Sequence, residues 1–310
     1  MSGPLRIGTR PSPLATHQAR LVADGLAAGG WETELVPVKT EGDLNRHASL
    51  AEIGGTGVFV SALRSALLDG TVDLAVHSLK DLPTGAADGI ALAAVPVRED
   101  PRDALVARDR LTLAELPPGS RVGTGSPRRA AQLLALGFGL DVRPVRGNVG
   151  TRLGYVADGE LDAVVLALAG LRRLGREDDV TEIMDPLQML PAPGQGALAV
   201  ECRTEDSEVI TQVSAALEDA GTRAAVTAER SLLAALEAGC TAPVGALGEV
   251  ALGDQGEEVW IRAVVCALDG MQTVRMSATG PIDDAAGLGV RLAEAMIADG
   301  AGELLGERVS

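Results

Sequence analysis

The stretch LRIGTRPSP, residues 5–13, shows how the first half of the chain is built. The segment 5–9 predicts a short buried strand, and the two prolines mark its turn into a helix over about 14–26. The same alternation continues with a strand, a helix and a strand at residues 34–38, 58–68 and 72–76. Strands that alternate with helices in this way predict an α/β fold with mostly parallel pairing.

This stretch has a second copy further along the chain. RIGT at 6–9, which precedes a Ser-Pro pair, resembles RVGT at 121–124, which precedes another. DGTVDLAV at 69–76 resembles DGELDAVV at 158–165, in the same order. Chance similarity between short strand–turn pieces is the alternative, but the preserved order favours two similar α/β lobes.

Two proline-rich joints, at 99–102 and 191–194, frame the second lobe. Two crossings between lobes are how a hinged cleft is built, so we expect a strand at 197–201 to return to the first lobe. The expected domains are a discontinuous first lobe (1–98 and 195–216), a second lobe (99–194) and a small C-terminal α+β domain (217–310).

The C-terminal domain has its own helix and hairpin signals. A helix over 222–238 is expected to start at an N-cap, Thr222, and to stop at Gly239 as C′. Strands at 258–267 and 271–278 are expected to form a hairpin through Asp269-Gly270, followed by a helix over 285–298.

The chain of 310 residues carries a formal net charge of −16, from 27 basic and 43 acidic residues. Such a surface repels polyanions at long range, so we expect no nucleic-acid and no membrane partner. The charge is uneven, because residues 121–176 hold nine arginines against four acidic residues and residues 215–310 hold six against 15. Only two of the basic residues, Lys39 and Lys80, are lysines, and the rest are arginines. A base-composition bias of the genome or a need for forked guanidinium contacts would explain this preference for arginine.

Other classes of protein are excluded by what the sequence lacks. Its longest apolar stretches, such as 163–171, are about half of the roughly 20 residues that a membrane span needs. The first residues carry no apolar run of the kind found in secretory signals. The three cysteines form no CxxC and the histidines lie far apart, so we expect a cytoplasmic protein without disulfides or a metal site.

Two strand-to-helix turns carry polar residues suited to an anion. They are Arg10 and Ser12 at the first turn, and Thr124, Ser126, Arg128 and Arg129 at the second. Helix N-termini favour anions, and open α/β sheets bind ligands at the carboxyl ends of their strands. N-capping explains either turn alone, whereas the two together indicate a cleft for carboxylates or phosphates.

Three further sites could carry chemistry. The turn-rich segment RGNVGTR at 146–152 adds two arginines without matching a Walker A loop or a dinucleotide fingerprint. Asp81 directly follows a buried strand and is a candidate general acid or base, the alternative being a surface pair with Lys80. Cys240 lies in a loop and is a better candidate nucleophile than Cys202 or Cys266, which we expect to be buried; an inert small residue is the alternative.

Together these segments resemble the porphobilinogen deaminase family, also called hydroxymethylbilane synthases. The matching pieces occur in the family's order and cover essentially the whole chain, most loosely in the last domain. They are RIGTRPSPLA (6–15), AVHSLKDLP (75–83), REDPRDA (98–104), VGTGSPRR (122–129), RGNVGTRL (146–153), LPAPGQGA (190–197) and EAGC (237–240).

The resemblance implies two lobes of the periplasmic-binding-protein type around a hinged cleft, with a third domain that carries the cofactor cysteine. It implies a transferase that joins four porphobilinogen molecules head to tail, with loss of ammonia, to give hydroxymethylbilane for porphyrin and heme biosynthesis. It further implies a dipyrromethane cofactor held on Cys240 through a thioether, and we expect a monomer.

Residue roles follow from the same resemblance. The catalytic carboxylate falls on Asp81. The cofactor contacts fall on Cys240, Lys80, Asp81, Thr124, Ser126, Arg128, Arg129 and Arg146. The substrate contacts fall on Arg10, Ser12, Gln18, Arg146, Arg152, Arg173 and Gln195.

The sequence departs from the family pattern at two places. The glycine-rich stretch 51–59 lacks the lysines that many relatives carry, and we expect it to close over the cleft through glycine flexibility alone. Pro127 replaces an apolar residue at a first helical position, where proline is tolerated. The main alternative function is a non-enzymatic two-lobed binding protein for an acidic metabolite, which needs the arginines but neither Asp81 nor a modified Cys240.

Overall fold

A computed structural model describes residues 3–38, 57–239, 241–253 and 256–306, with the side chains of 57–59 left aside. Cys240 and most of the stretch 51–59 lie outside these ranges, and so does the expected closure of that stretch. The strands are β1 (Leu5–Thr9), β2 (Thr33–Pro37), β3 (Leu74–Ser78), β4 (Ile90–Ala94), β5 (Asp103–Ala107), β6 (Arg121–Thr124), β7 (Asp141–Pro144), β8 (Ala163–Ala167), β9 (Glu182–Ile183), β10 (Leu198–Arg203), β11 (Val244–Gly253), β12 (Gly256–Cys266) and β13 (Thr273–Pro281). The α-helices are α1 (Pro13–Ala28), α2 (Gly57–Leu68), α3 (Pro127–Ala135), α4 (Val149–Ala157), α5 (Leu168–Arg173), α6 (Ser207–Leu217), α7 (Ala220–Ala235), α8 (Ala285–Ala298) and α9 (Ala301–Gly306).

The chain forms two compact units. The first comprises Met1–Glu99 and Ala197–Arg223, and the second comprises Asp100–Gly196 and Ala224–Ser310. The chain therefore passes from one unit to the other beside each of the two proline-rich joints, and once more after Arg223. The second lobe and the C-terminal sheet belong to one unit.

The first unit contains a five-stranded sheet in the order β2-β1-β3-β10-β4. β1 pairs in parallel with β2 and β3, whereas β10 runs antiparallel to both β3 and β4. β10 is the predicted returning strand, and its direction makes the sheet mixed rather than mostly parallel. Helix α1 buries Ala19, Val22 and Leu26 against Leu5 and Ile7 because these residues recur every three or four positions on one face.

The second unit contains a sheet of the same design, in the order β7-β6-β8-β5-β9. β6 pairs in parallel with β7 and β8, and β5 runs antiparallel to β8 and β9. The pairing of Ile7 with Leu74 in β1 and β3 corresponds to the pairing of Val122 with Ala163 in β6 and β8. The sequence repeat is therefore a structural repeat, and the predicted α/β architecture with two similar lobes is confirmed.

An ion pair recurs with the repeat. The Arg6 guanidinium binds the Asp73 carboxylate at 2.8 Å, and the Arg6 amide donates to the same carboxylate at 3.0 Å. In the second lobe, the Arg121 amide and guanidinium bind Asp162 at 2.8 and 3.1 Å. Each pair joins the start of one strand, β1 or β6, to the turn before its parallel neighbour, β3 or β8, which is why both copies of the repeat keep Arg and Asp.

The C-terminal part adds the antiparallel sheet β11-β12-β13. Helices α7, α8 and α9 cover one face of this sheet around a core that includes Leu232, Ile261 and Leu292. The hairpin through Asp269-Gly270 and the helix over 285–298 are confirmed, whereas β11 and α9 were not predicted from the sequence. Gly248 allows close packing, since a Cβ there would lie 2.7 Å from the carbonyl oxygen of Ala225 in α7.

The predicted ends of α7 are wrong. The helix begins at Ala220, and the Asp219 carboxylate accepts from the Thr222 amide at 2.7 Å, so Asp219 is the N-cap. The Thr222 hydroxyl instead accepts from the Arg98 amide at 3.1 Å. The helix ends in a Schellman motif with Glu237, at φ +51°, as C′, and Gly239 lies beyond it. Across the described parts of the chain, no helix combines the length and apolar character required to cross a bilayer.

Candidate functional site

The first unit gathers its predicted site residues at one edge of its sheet. β1 and β3 are parallel, so their carboxyl ends, which lead to Arg10 and Lys80 respectively, meet at the same edge. A short 3-10 turn, Leu79–Asp81, follows β3 directly and leaves Asp81 exposed to solvent. The buried amide of Gln18 donates to Ser78 Oγ at 2.9 Å and ties α1 to the strand end from which this turn begins.

Ser12 has a structural role, as a serine at the start of a helix often does. Its Oγ accepts from the Ala15 amide at 3.2 Å, so it is the N-cap of α1. Ser126 has the same role in the second unit, where its Oγ accepts from the Arg129 amide at 3.5 Å and Pro127 occupies the first helical position. Contacts of either hydroxyl with a ligand stay predictions.

A largely buried polar trio in the first unit, Glu201, Arg64 and His77, had no sequence signal. The Glu201 carboxylate, on β10, accepts from Arg64 Nη2 at 2.6 Å and lies 3.2 Å from His77 Nε2. Burial by itself would raise the pKa of Glu201, but hydrogen bonds and charge from His77 and Arg64 outweigh it and lower the pKa to about 2. The trio joins α2 to β3 and β10, directly before the turn that carries Asp81.

The second unit is organised around Asp103, the first residue of β5 and 0% exposed. Its Oδ2 accepts from Arg128 Nη1 at 2.7 Å, and its Oδ1 accepts from Arg129 Nη2 at 2.7 Å. The Gln195 amide also donates to Oδ1, at 2.8 Å. Sequence analysis had assigned Arg128, Arg129 and Gln195 to external ligands and had not identified the internal carboxylate that they share.

The geometry of the sheet explains why these groups meet. Asp103 pairs with Ala167 at the carboxyl end of β8, and Thr124 ends the parallel neighbour β6 at the same edge. Arg128 and Arg129 follow in the first turn of α3 and are 3% and 5% exposed. Burial favours a raised pKa for Asp103, but the two guanidiniums outweigh it and hold the pKa of this carboxyl far below its usual range.

The remaining predicted arginines of the second unit are distributed around this cluster. Burial and the positive charge of Arg129 lower the pKa of Arg152, whose Nε donates to the Gly147 carbonyl at 3.0 Å. Arg173, at the end of α5, donates to the Gly196 carbonyl at 2.7 Å. Arg146 is exposed and lines an open groove with Arg143 and Tyr155.

The two cysteines that the structure describes are buried, as predicted. Cys202 in β10 and Cys266 in β12 are buried free thiols, and burial raises the pKa of each to about 11. Neither is therefore a ready nucleophile at neutral pH. Cys240 lies outside the described residues. Within the described ranges, no three His, Cys, Asp or Glu side chains converge as metal ligands would.

The two sheets and their polar edges define a protein with two similar α/β lobes, whose strand ends carry arginines and carboxylates, and an added α+β sheet. Residues 5–211 match the family model for the dipyromethane cofactor binding domain of porphobilinogen deaminase. Residues 223–298 match the family model for the C-terminal domain of porphobilinogen deaminase. The chain belongs to the porphobilinogen deaminase family.

Individual relatives agree with the family models. A porphobilinogen deaminase of Mycobacterium tuberculosis strain H37Rv is 58% identical over 306 residues, covering 97% of this chain and 98% of the relative. One of Nocardia farcinica is 58% identical over 309 residues, covering 98% and 88% respectively. A solved periplasmic substrate-binding protein of a Coxiella burnetii ABC transporter is a much looser match, 15% identical with a TM-score of 0.43, covering 68% of this chain and 91% of that one.

Replacing Asp103 should strongly destabilise the second unit. Asp103→Ala leaves Arg128 and Arg129 buried without a counter-charge, at a cost of about 3–5 kcal/mol. Urea denaturation should show a much lower midpoint for this variant than for wild type. Asp141→Ala is the control, because Asp141 pairs with the exposed Arg143 and should change the midpoint little. Equal midpoints for the two variants would contradict the central role of Asp103.

Glu201 should make the first unit sensitive to acid. Its pKa is about 2 in the fold against 4.5 for a free carboxyl, so its contribution, about 3 kcal/mol, is complete above pH 4.5 and is lost as the pH falls toward 2. Between pH 7 and pH 3, the midpoint temperature of thermal unfolding should therefore fall more steeply for wild type than for Glu201→Gln. The exposed Glu208→Gln variant should follow wild type, and parallel curves for all three proteins would refute this explanation.

Proposed function

We propose that this chain condenses four porphobilinogen molecules head to tail, releasing an ammonia with each, and delivers hydroxymethylbilane for porphyrin and heme biosynthesis. The observation that carries the proposal is the match to both porphobilinogen deaminase family models, with 58% identity to a relative over 306 residues. This activity makes the chain a transferase whose small-molecule partner is porphobilinogen. The non-enzymatic binding protein is not favoured, because the relatives carry the name of an enzyme.

The proposed cofactor is dipyrromethane, made from two porphobilinogen units and attached to Cys240 through a thioether. The first unit would form one C–S bond and break one C–N bond, and the second would form one C–C bond and break another C–N bond. The thiol proton and the proton of the substituted pyrrole carbon leave with the two ammonia molecules, so no oxidant or reductant is needed. The match of residues 5–211 to a cofactor-binding family model supports the cofactor. When bound, the group supplies the free pyrrole carbon on which the product is extended.

The charges of the second unit suit a ligand with carboxylates. Arg128 and Arg129 oppose a single carboxylate, Asp103, so this cluster retains positive charge. Arg128 Nε is buried and has no hydrogen-bond partner among the described residues, which is a costly state for a charged donor. A carboxylate of the cofactor would satisfy it. The other proposed cofactor contacts are Lys80, Asp81, Thr124, Ser126 and Arg146.

Asp81 is the proposed catalytic group. It lies on a turn held by β3, is exposed to solvent and can therefore reach a substrate. The side chain would give a proton to the departing amine and later accept the proton released when the carbon–carbon bond has formed. As a carboxylate it would also stabilise the positive charge that develops on the pyrrole between these steps.

The acidic side chains of porphobilinogen require cations that stay charged, which guanidinium groups supply at any working pH. Gln18 and Ser12 are placed by hydrogen bonds at the sheet edge that leads to Asp81, which supports a role near the reacting groups. The proposed substrate contacts are Arg10, Ser12, Gln18, Arg146, Arg152, Arg173 and Gln195. The net charge of −16 supports a monomer with no nucleic-acid or membrane partner, and the cysteine pattern, without a CxxC, supports a cytoplasmic location.

Intact-mass measurement tests the cofactor directly. The protein should be heavier than its sequence by two porphobilinogen units less two ammonia molecules, because each attachment step expels one ammonia. Cys240→Ser should remove the whole increment, since a hydroxyl is a far weaker nucleophile. Cys202→Ala should keep it, because Cys202 is buried in β10. An active enzyme of unmodified mass would overturn the cofactor assignment.

Asp81→Ala should keep the fold and lose turnover. General acid–base groups contribute about 10²–10⁴-fold, so ammonia release from porphobilinogen should fall at least 100-fold. Circular dichroism and the unfolding midpoint should match wild type because Asp81 is exposed. Asp69→Ala, another exposed carboxylate of the first unit, should retain full activity. Near-normal turnover in Asp81→Ala would remove this residue from the mechanism.

A further inference from the structure

One short piece of chain in the second unit is hydrogen-bonded on two sides. We call residues 189–195 the joint segment, because the chain leaves the second unit one residue after it, at Gly196. On one side, the Leu190 amide donates to Gln132 Oε1 at 2.8 Å, and the Leu190 carbonyl accepts from Arg128 Nη1 at 2.6 Å. The Gln195 side chain donates to Asp103 at 2.8 Å. The joint segment is therefore built into the cluster that holds the arginine pair Arg128 and Arg129.

On its other side the joint segment meets the C-terminal sheet. The Ala246 amide of β11 donates to the Pro191 carbonyl at 2.9 Å. The approach is close, since a Cβ at Gly245 would lie 2.8 Å from the Leu190 carbonyl oxygen. This contact needs a glycine in β11, and it brings two backbones together without a side chain between them.

Glu229 completes this side. It lies on α7 and is 0% exposed, and its two carboxylate oxygens have different backbone donors. Oε2 accepts from the Gly194 amide of the joint segment at 2.6 Å, and Oε1 accepts from the Gly248 amide of β11 at 2.7 Å. Hydrogen bonds to an ionised acceptor are about twice as strong as neutral ones, and this one carboxylate joins three pieces of chain.

We propose that Glu229 is a positioning residue: by holding the joint segment against β11, it keeps Leu190 and Gln195 on the arginine cluster and so fixes the arginine pair relative to α7. The inference rests on the proposed function in one respect, namely that α7 leads, five residues beyond its end, to the cofactor residue Cys240. The joint segment then determines two positions. One of its sides holds α7, which precedes the attachment point, and the other holds the arginine pair that is proposed to bind the attached group.

The chemistry of the side chain points to Glu rather than to a neutral substitute. Both oxygens accept from N–H groups, and Gln would place a donor against one of these donors. A Gln side chain has nearly the same shape as Glu. Glu229→Gln therefore removes one of the two hydrogen bonds without opening a cavity. Its expected effect is a joint segment that is held less tightly against β11 and α7, although the Ala246–Pro191 hydrogen bond remains, and an arginine pair that is less firmly held.

The test measures how fast porphobilinogen loads the cofactor onto cofactor-free protein, followed by intact mass. Glu229→Gln should load at least tenfold more slowly than wild type and show a raised KM for porphobilinogen. The matched control is Leu288→Ala, which removes a buried side chain from the C-terminal core without touching the joint segment. Each variant is compared at a temperature where it is fully folded, and the control should load at a rate near that of wild type. Equal loading by the two variants would overturn the inference.

A second measurement does not depend on the cofactor. Amide hydrogen exchange in Glu229→Gln should accelerate at Leu190 and Gln195 and into the first turn of α3, as well as at whichever of the Gly194 and Gly248 amides loses its acceptor. Exchange that accelerates only at Gly194 and Gly248 would overturn the positioning role. If wild type gained no mass, the proposed cofactor would fail while this measurement still decided the inference. If Glu229→Gln did not fold, Glu229→Asp, which keeps the charge but shortens its reach, is read by the same two criteria.

Discussion

Two neighbouring guanidiniums can be buried side by side only when an anion lies against both, and in this protein that anion is Asp103. The start of β5, the first turn of α3 and the joint segment all meet at its carboxylate. Since an uncompensated buried charge costs several kcal/mol, none of these three elements can move independently of the others. The interaction therefore connects the sheet of the second lobe to the segment by which the chain leaves it.

The same interaction gives the proposed chemistry its electrostatic basis. A protein with a net charge of −16 would repel a substrate that carries carboxylates, unless positive charge were concentrated locally. Asp103 offsets one of the two arginine charges, which allows burial and leaves a positive remainder. In the first unit the proposed catalytic carboxylate, Asp81, is exposed, while the buried carboxylate Glu201 is held by Arg64 and lies against His77.

Local patterns were sufficient for much of the architecture. The RIGT and RVGT copies predicted two lobes because a strand, its turn and the following N-cap are encoded within about ten residues. The helix over 285–298 was predicted to the residue for the same reason. The ends of α7 were not, because Asp219 competes with Thr222 as N-cap and a non-glycine residue, Glu237, takes the left-handed position. The mixed direction of the sheets depends on where β5 and β10 join them, which periodicity does not encode.

The sequence by itself determined the alternation of strands and helices, the repeat, and the residue types at the strand ends. It also made Asp81 a candidate acid or base and Cys240 a candidate nucleophile, to which the resemblance added the family, the reaction and the cofactor. Only the tertiary structure decided which carboxylates are structural. Asp103 lies 25 residues from Arg128, Glu229 lies 35 from Gly194, and Glu201 lies 137 from Arg64. Charge pairing at such separations is set by how the sheets bring strand ends together, and no local spacing rule reports it.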